Sequence, residues 1–334
     1  MATDGLWEGF IAWENWVFAA RDLRRGKSRS GAVAELDVRR EEVLSDVRGD
    51  LIGGTYLPGP YRTFTICDPK RRVIAAPDPR DRLVHHALVR VLSPIWERRF
   101  VHHNYACRPG RGIHRAALAC RDYARRFPWY LKFDVARFYP SVSHEVLKGM
   151  LRRDVRGSRV MDVLERVIDS YDSGVPCRGL PIGALTSQWF ALRVLHPLDR
   201  RLAEGLRVPT VRYADDAVCF GRSKAELRYV RAEAERFLDG LGLRMHPGKR
   251  DIHGVTEGIP FVGFRIFPTH LRVSGRSKVR ARRKMRRWVA RDARGEVSAD
   301  SRRSSIASWV GHWGWANSYF LRKATIGKLV FRRA

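Results

Sequence analysis

The segment Val211-Arg-Tyr-Ala-Asp215-Asp216-Ala-Val-Cys-Phe220 limits the fold more than any other stretch of the chain. Two short apolar runs flank adjacent carboxylates, a pattern that fits paired strands carrying an acidic turn. Two explanations compete for the carboxylates. Like charges at one tip repel unless a cation intervenes, and Mg²⁺ takes oxygen ligands from one or two carboxylates plus substrate phosphates. The other explanation is structural, an Asp-Asp type I′ hairpin turn with no metal. A further carboxylate, Asp134, follows the strand-like Tyr130-Leu-Lys-Phe133.

Composition sets the surroundings of this hairpin. A chain of 334 residues can bury a sizeable core, and its length allows about two domains. Its 44 % hydrophobic and 30 % charged content is that of a globular protein and excludes a disordered or fibrous chain. With 64 Lys and Arg against 35 Asp and Glu, the net charge is +29, which calls for a polyanionic partner, nucleic acid first. Only 10 of the 64 bases are Lys. The Arg excess suits bidentate phosphate contact, and a GC-rich genome would produce it too. Basicity peaks at the C-terminal end, where residues 265–334 hold 19 Lys and Arg against 3 Asp and Glu.

Five cysteines (Cys67, Cys107, Cys120, Cys177, Cys219) without a Cys-x-x-Cys pair imply neither a disulfide framework nor a zinc ribbon, and fit a reducing cytoplasm. Asp4, Glu8, Glu14 and Asp22 interrupt the N-terminal stretch, which has no apolar core of a secretory signal. The longest run without Asp, Glu, Lys or Arg, Ser304 to Leu321, is too rich in Ser, Gly, His and Asn to span a membrane.

Apolar periodicity predicts helices over Leu6–Leu23, Leu36–Ile52 and Asp81–Phe100. It also predicts a basic amphipathic helix over Arg280–Arg291, with Ala281, Met285, Trp288 and Val289 on one face. Strand-like runs are Arg62–Cys67, Val73–Ala75, Trp129–Phe133, Thr210–Arg212, Ala217–Phe220 and Phe261–Phe267. Helices and strands mix irregularly, which predicts an α+β fold. Trp309, Trp313 and Phe320 recur near helical spacing and, with Trp315 and Tyr319, either stack on bases or fill a core. The pairs His85-His86 and His102-His103 lack a metal-ligand spacing and are expected at the surface or facing RNA. Ser187 lies outside any nucleophile elbow and is expected to cap or pack its helix.

Taken together, several motifs resemble those of reverse transcriptases, and they stand in that family's order. Tyr-Ala-Asp215-Asp216 after Arg212 resembles the catalytic hairpin, and Lys132-Phe-Asp134-Val-Ala-Arg-Phe138-Tyr139-Pro-Ser-Val-Ser143 resembles the first palm motif. Gly179-Leu-Pro-Ile182-Gly-Ala-Leu-Thr-Ser187-Gln188 resembles the loop-to-helix motif between them, and Gly258-Ile-Pro-Phe-Val-Gly-Phe264 resembles the primer-grip hairpin. Lys70-Arg-Arg72-Val-Ile and Tyr105-Ala-Cys-Arg-Pro-Gly-Arg-Gly112 resemble fingers motifs of bacterial and group II intron enzymes. The likeness covers roughly residues 55–270. Ile182 stands where most of the family has Gln. With Phe261–His270 and Ser308–His312, that version resembles the reverse transcriptases of diversity-generating retroelements, which copy a template RNA into cDNA and misread adenines.

The resemblance implies a right-hand polymerase with an N-terminal helical segment (1–54), interleaved fingers and palm (55–265) and a basic helical thumb (266–334). It implies no RNase H-like or endonuclease appendage. Asp134, Asp215 and the Val135 carbonyl would ligate two Mg²⁺ ions, and Asp216 would complete the catalytic cluster. Tyr139 would gate against the ribose 2′-OH so that dNTPs are the substrates, and Lys70 and Arg72 would grip the triphosphate. Ile182 and Gln188 would lie at the nucleotide and primer end. Lys249 would protonate the departing pyrophosphate, unless it or Arg250 is plain surface charge. Expected partners are template RNA, the RNA–cDNA hybrid and a small basic accessory protein forming a helical barrel. The alternatives are a group II intron-like or defence-associated reverse transcriptase, or a non-catalytic RNA-binding scaffold.

Overall fold

The structure, a computed structural model, describes residues 3–25, 31–67, 71–155 and 159–327. From the N-terminus come helices α1 (Thr3–Ile11), α2 (Trp13–Arg24), α3 (Gly31–Val38) and α4 (Arg40–Gly53), then strands β1 (Arg62–Ile66) and β2 (Arg72–Ala76). Helices α5 (Pro79–Glu97) and α6 (Ile113–Ala124) precede β3 (Trp129–Asp134). Four helices follow: α7 (Phe138–Ser141), α8 (His144–Asp154), α9 (Val160–Asp169) and α10 (Leu185–Arg200). Next are β4 (Thr210–Tyr213), β5 (Asp216–Gly221), α11 (Lys224–Gly240), β6 (Ile252–Gly254), β7 (Ile259–Phe261), β8 (Phe264–Ile266) and β9 (Leu271–Val273). The last are α12 (Gly275–Ala293), α13 (Ala299–Trp313) and α14 (Tyr319–Ile326). Mixed helix and sheet agree with the α+β expectation, and among the described residues no helix is long and apolar enough to cross a membrane.

The chain forms two compact units that interleave in sequence. The first comprises Met1–His102, Val135–Arg201 and Ala234–Met245. Its first helical stretch is one run of apolar periodicity yet breaks at Ala12, whose backbone is extended. The cause is local: the Phe10 carbonyl accepts the Trp16 indole N–H (2.9 Å) and the Asn15 amide (3.0 Å) in place of a ladder partner. α5 starts cleanly, with Pro79 at its first turn and Asp78 accepting from the Arg80 amide. It packs on α10. Trp96 stacks on Trp189 at 5.8 Å, and its indole N–H donates to Asp154, whose side chain is only 1 % exposed. Arg193 and Arg99 also donate to Asp154, so this buried charge is paired.

His85, expected at the surface, is buried in this unit at 1 % exposure, with Nδ1 3.2 Å from the Thr186 hydroxyl. It extends the buried stripe of Leu83, Val84, Ala87 and Leu88. Burial pushes its pKa down to about 3, so the ring is neutral. His86 is half-buried and His102 exposed.

The second unit comprises His103–Asp134, Leu202–Glu233 and His246–Ala334. Its four-stranded antiparallel sheet has the order β4-β5-β3-β6. Tyr130, Val211, Val218 and Phe220 on this sheet share a core with Ala116, Ala117 and Cys120 of α6. β7, β8 and β9 form a second, three-stranded sheet whose Phe261, Phe264 and Ile266 join the same core. The strand-like run over Phe261–Phe267 is therefore split between β7 and β8, which pair as a hairpin where Gly258–Phe264 resembles one. Its loop is Val262-Gly263, with φ of 41° and 88°, the two positive values of a type I′ turn. Valine is β-branched and rarely takes positive φ, so apolar character masked the turn. α12 starts at a Ser274 cap and buries Ala281 and Met285, while Arg282, Arg283, Arg286 and Arg287 are exposed. Trp313 is core and Trp309 half-buried, but Phe320 is 82 % exposed.

Candidate active site

The acidic cluster is assembled by strand register in the second unit. β3 pairs antiparallel with β5 from Trp129↔Gly221 to Asp134↔Asp216, so the two carboxylates oppose each other at one end of the sheet. The β4–β5 connection brings the third. Tyr213 pairs with Asp216, leaving Ala214-Asp215 as the two-residue loop. The Asp-Asp turn is therefore not what forms: Asp215 is in the loop and Asp216 is the first residue of β5. Ala214 alone of the loop pair has positive φ (56°), so the turn is not type I′, which needs both. An alanine in this region costs about 1 kcal/mol. The buried Arg212 offsets that cost, donating to the Ala214 carbonyl at 2.5 Å.

Each opposed carboxylate has its own cation. The Lys132 ammonium pairs with Asp216 and the Lys249 ammonium with Asp134. Lys132 stands two residues before Asp134, on the same face of β3, and thus reaches the cross-strand Asp216 diagonally. Lys249 is delivered by a turn: the His246 amide donates to the Asp134 carbonyl (2.7 Å), and the Lys249 amide donates to the His246 carbonyl (3.1 Å). The structure thus brings Lys249 to Asp134 across 115 residues of sequence. The role of Lys132 was missed in the sequence, although Lys-x-Asp on a strand places both side chains on one face.

Asp215 is the carboxylate without a lysine ion pair among the described residues. Burial first, and then the charge of Asp134, push its pKa up to about 6. Burial also raises Asp216, against the opposing pull of Lys132. A pair of carboxylates so close to each other favours a shared proton or a bound cation. The donor set is all oxygen and fits Mg²⁺, an ion that uses one or two carboxylates and keeps water or phosphate for its other positions. Among the described residues no group of three or more His, Cys, Asp or Glu encloses an ion by itself. Val135 follows Asp134 with its side chain buried. The main-chain bonds that bracket it use the Asp134 carbonyl and the Ala136 amide.

Of the residues expected at the nucleotide, Arg72, Tyr139, Ile182 and Gln188 fall in the first unit, where main-chain bonds hold Ile182 and Tyr139. The Ala75 amide of β2 donates to the Ile182 carbonyl (2.9 Å), and the Leu180 amide donates to the Tyr139 carbonyl (2.9 Å). Gly183 is required here: its φ is +133°, and a Cβ would lie 2.8 Å from Ile74 Cγ2. Ile182 is half-buried, and Arg72 and Gln188 are exposed, the latter in the first turns of α10. Tyr139 lies in the single turn of α7, its ring edge-on to Phe138. Ser187 is buried, as expected of a packing residue. Lys70 lies outside the described residues.

A profile described as "Reverse transcriptase (RNA-dependent DNA polymerase)" matches residues 67–266, which include every strand of the acidic cluster. The chain belongs to the reverse transcriptase family. This reverse transcriptase is similar to the protein YkfC of Escherichia coli strain K12, at 28 % identity over 277 residues, 69 % of this chain and 73 % of YkfC. It is also similar to the group II intron-encoded protein LtrA of Lactococcus lactis, at 23 % identity over 200 residues, 57 % of this chain but 33 % of LtrA. The chain thus corresponds to about a third of LtrA's length. In fold it is similar to Candida albicans telomerase, solved in complex with a fragment of telomeric RNA, with a TM-score of 0.50 at 14 % identity over 70 % of this chain and 50 % of that one.

Proposed function

We propose that this reverse transcriptase copies a template-repeat RNA into cDNA, with errors concentrated at template adenines, for mutagenic rewriting of a variable gene. The observation that carries its polymerase chemistry is the β3–β5 register, which opposes Asp134 to Asp216 beside the Asp215 loop. In this scheme the primer 3′-hydroxyl oxygen attacks the α-phosphorus of a dNTP and gives up its proton to solvent. The bond to pyrophosphate breaks, and the Lys249 ammonium hands a proton to the departing group. Asp134 and Asp215, with the Val135 carbonyl, would hold the Mg²⁺ ions. When bound, Mg²⁺ supplies positive charge to both the attacking and leaving oxygens. Asp216 stays on Lys132 and shapes the cluster.

Tyr139 fills the volume a 2′-OH needs, Lys70 and Arg72 neutralise the triphosphate, and Ile182 and Gln188 shape the nucleotide and primer pocket. Residues 1–54 form the N-terminal segment, 55–265 the fingers and palm, and 266–334 the thumb, whose exposed arginines track the hybrid backbone. A small basic accessory protein assists template binding. The retroelement assignment is supported by Ile182 and by the Phe261–His270 and Ser308–His312 segments.

Purified protein supplied with a primed RNA, dNTPs and Mg²⁺ should make cDNA whose sequenced errors cluster opposite adenine. Extension with few and evenly spread errors overturns the retroelement assignment. No extension on any primed RNA, with or without accessory protein, overturns the catalytic one. The similarity to LtrA favours a second reading, group II intron-like reverse transcription. That reading predicts accurate copying.

A further inference from the structure

A second cluster in the second unit lies where the start of α6 meets the end of α13. His114 Nε2 and His312 Nδ1 are 3.1 Å apart, a hydrogen bond across 198 residues of sequence. The His114 ring lies flat on Trp315, with centroids 4.8 Å apart and planes 10° from parallel. Phe264 packs against His312 at 4.7 Å. The turn glycine lies beside that ring: a Cβ on Gly263 would stand 3.4 Å from His312 Nε2, in ordinary contact. With Ile113, Ser308 and Gly311, the two histidines and Trp315 line an open cavity of about 570 Å³. The catalytic scheme uses none of these residues.

The cavity differs in chemistry from what surrounds it. Residues 265–334 hold 19 Lys and Arg against 3 Asp and Glu, but the cavity lining carries no Lys, Arg, Asp or Glu. Burial holds both imidazoles below their ordinary value; His114 and Arg280 add their charge against protonation of His312. Both rings are thus neutral at pH 7. A hydrogen bond between neutral imidazoles consumes one N–H and one lone pair, leaving the pair one further donor and one further acceptor. Trp315 remains 48 % exposed despite its stack on His114. A neutral, aromatic recess with a donor and an acceptor, set in a cationic surface, suits the uncharged part of a polyanion.

We infer that this cavity binds a single unpaired nucleobase of the RNA or cDNA strand, stacked on Trp315 and hydrogen-bonded by the His114–His312 pair. The strand's phosphates lie against the arginines of α12. Duplex stems are excluded because a paired base presents neither a free face nor a free edge. The inference rests on the polymerase reading only in taking nucleic acid as the resident polymer.

The test is the affinity of the full chain for one short single-stranded sequence as RNA, the same as DNA, and a blunt duplex of it. Trp315→Ala and His114→Ala should weaken single-strand binding by about 5- to 140-fold, the usual worth of one stacked base. Trp315→Phe should restore most of it, and duplex affinity should hold. Comparing the RNA and DNA arms identifies the strand. Ultraviolet crosslinking should place the nucleotide on the peptide carrying Ser308 to Trp315. Single-strand affinity equal to wild type in both variants overturns the site. So does an equal loss on the duplex, which marks a phosphate surface or a folding defect, as does an aromatic side chain of a partner protein crosslinking there instead of a base. Primer extension by the wild type separates the two readings: lost single-strand binding in the variants with no extension leaves this site standing and the polymerase reading fallen. Extension with unchanged binding does the reverse.

Discussion

Asp134 and Asp216 face each other as a directly opposed pair across β3 and β5, Lys249 compensating the first and Lys132 the second. Opposed like charges destabilise a strand pair by up to about 1 kcal/mol. The two ammonium groups offset that cost within a register already held by buried pairs such as Leu131↔Cys219, and the cluster's remaining electrostatic demand falls on Asp215.

Asp215→Asn should abolish dNTP incorporation without unfolding the protein. It removes a charge that burial and Asp134 already disfavour, so stability should rise, by about 1 kcal/mol after solvent screening of a partly buried group. Thermal melting and single-nucleotide extension read the two effects. Near wild-type extension at millimolar Mg²⁺ would remove Asp215 from the catalytic set.

Tyr139→Ala should admit ribonucleotides by opening space beside the sugar. The ratio of dNTP to rNTP incorporation on a fixed template is the measurement. An unchanged ratio in an active variant shows that another side chain is the gate.

Replacing the exposed Arg282, Arg283, Arg286 and Arg287 of α12 by Gln should weaken hybrid binding and flatten its salt dependence. Each lost phosphate contact should lower the log–log slope by about 0.7–0.9. Chemistry at saturating hybrid should change little. An unaltered slope places this helix away from nucleic acid.

Ile182→Gln should reduce errors opposite adenine more than opposite other template bases. Ile offers shape and apolar contact where Gln adds a hydrogen-bonding group, and one such contact is worth about 1–3 kcal/mol when its loss leaves a partner unpaired. A tenfold change in discrimination needs about 1.4 kcal/mol. Sequenced cDNA from a defined RNA decides it; an error spectrum identical to wild type separates Ile182 from fidelity.

His85 predicts a component of acid sensitivity. Its folded pKa of about 3 lies below the 6.5 of an exposed imidazole, so the unfolded chain takes up a proton that the native ring refuses. Stability is full above pH 6.5 and is lost as pH falls toward 3. His85→Gln should recover about 3 kcal/mol of the loss at pH 4.5, judged against wild type by urea unfolding at several pH values. Parallel acid slopes would show that the ring is reached by water and charged.

The acidic hairpin was legible because two constraints coincide in ten residues: apolar runs must pair, and adjacent carboxylates must sit at their junction. α12 was equally legible, its Arg residues and its Ala281–Met285 face separating at helical spacing. What escaped depends on partners distant in sequence or on backbone that side chains disguise. Ala12 looks like helix interior, and only the Phe10 carbonyl's capture by Trp16 and Asn15 breaks it there. By periodicity Val262 looks like strand, and only the motif likeness of Gly258–Phe264 marked a hairpin there. The burial of His85 needs Thr186, 101 residues away, and the service of Lys132 to Asp216 needs the register of a sheet.

The strand order β4-β5-β3-β6 also sets a schedule for the newborn chain. β3 leaves the ribosome with neither neighbour made, since β5 starts at residue 216 and β6 ends at residue 254. At bacterial-to-eukaryotic synthesis speeds, roughly 6–24 s pass between the emergence of Asp134 and completion of its sheet. For that interval an apolar strand ending in the Asp134 carboxylate has both edges bare, beside an arginine-rich chain in a cell full of RNA. Holding β3 apart from other copies until residue 254 arrives is a task for chaperones or for bound polyanion, and slow codons before β5 would lengthen the exposure.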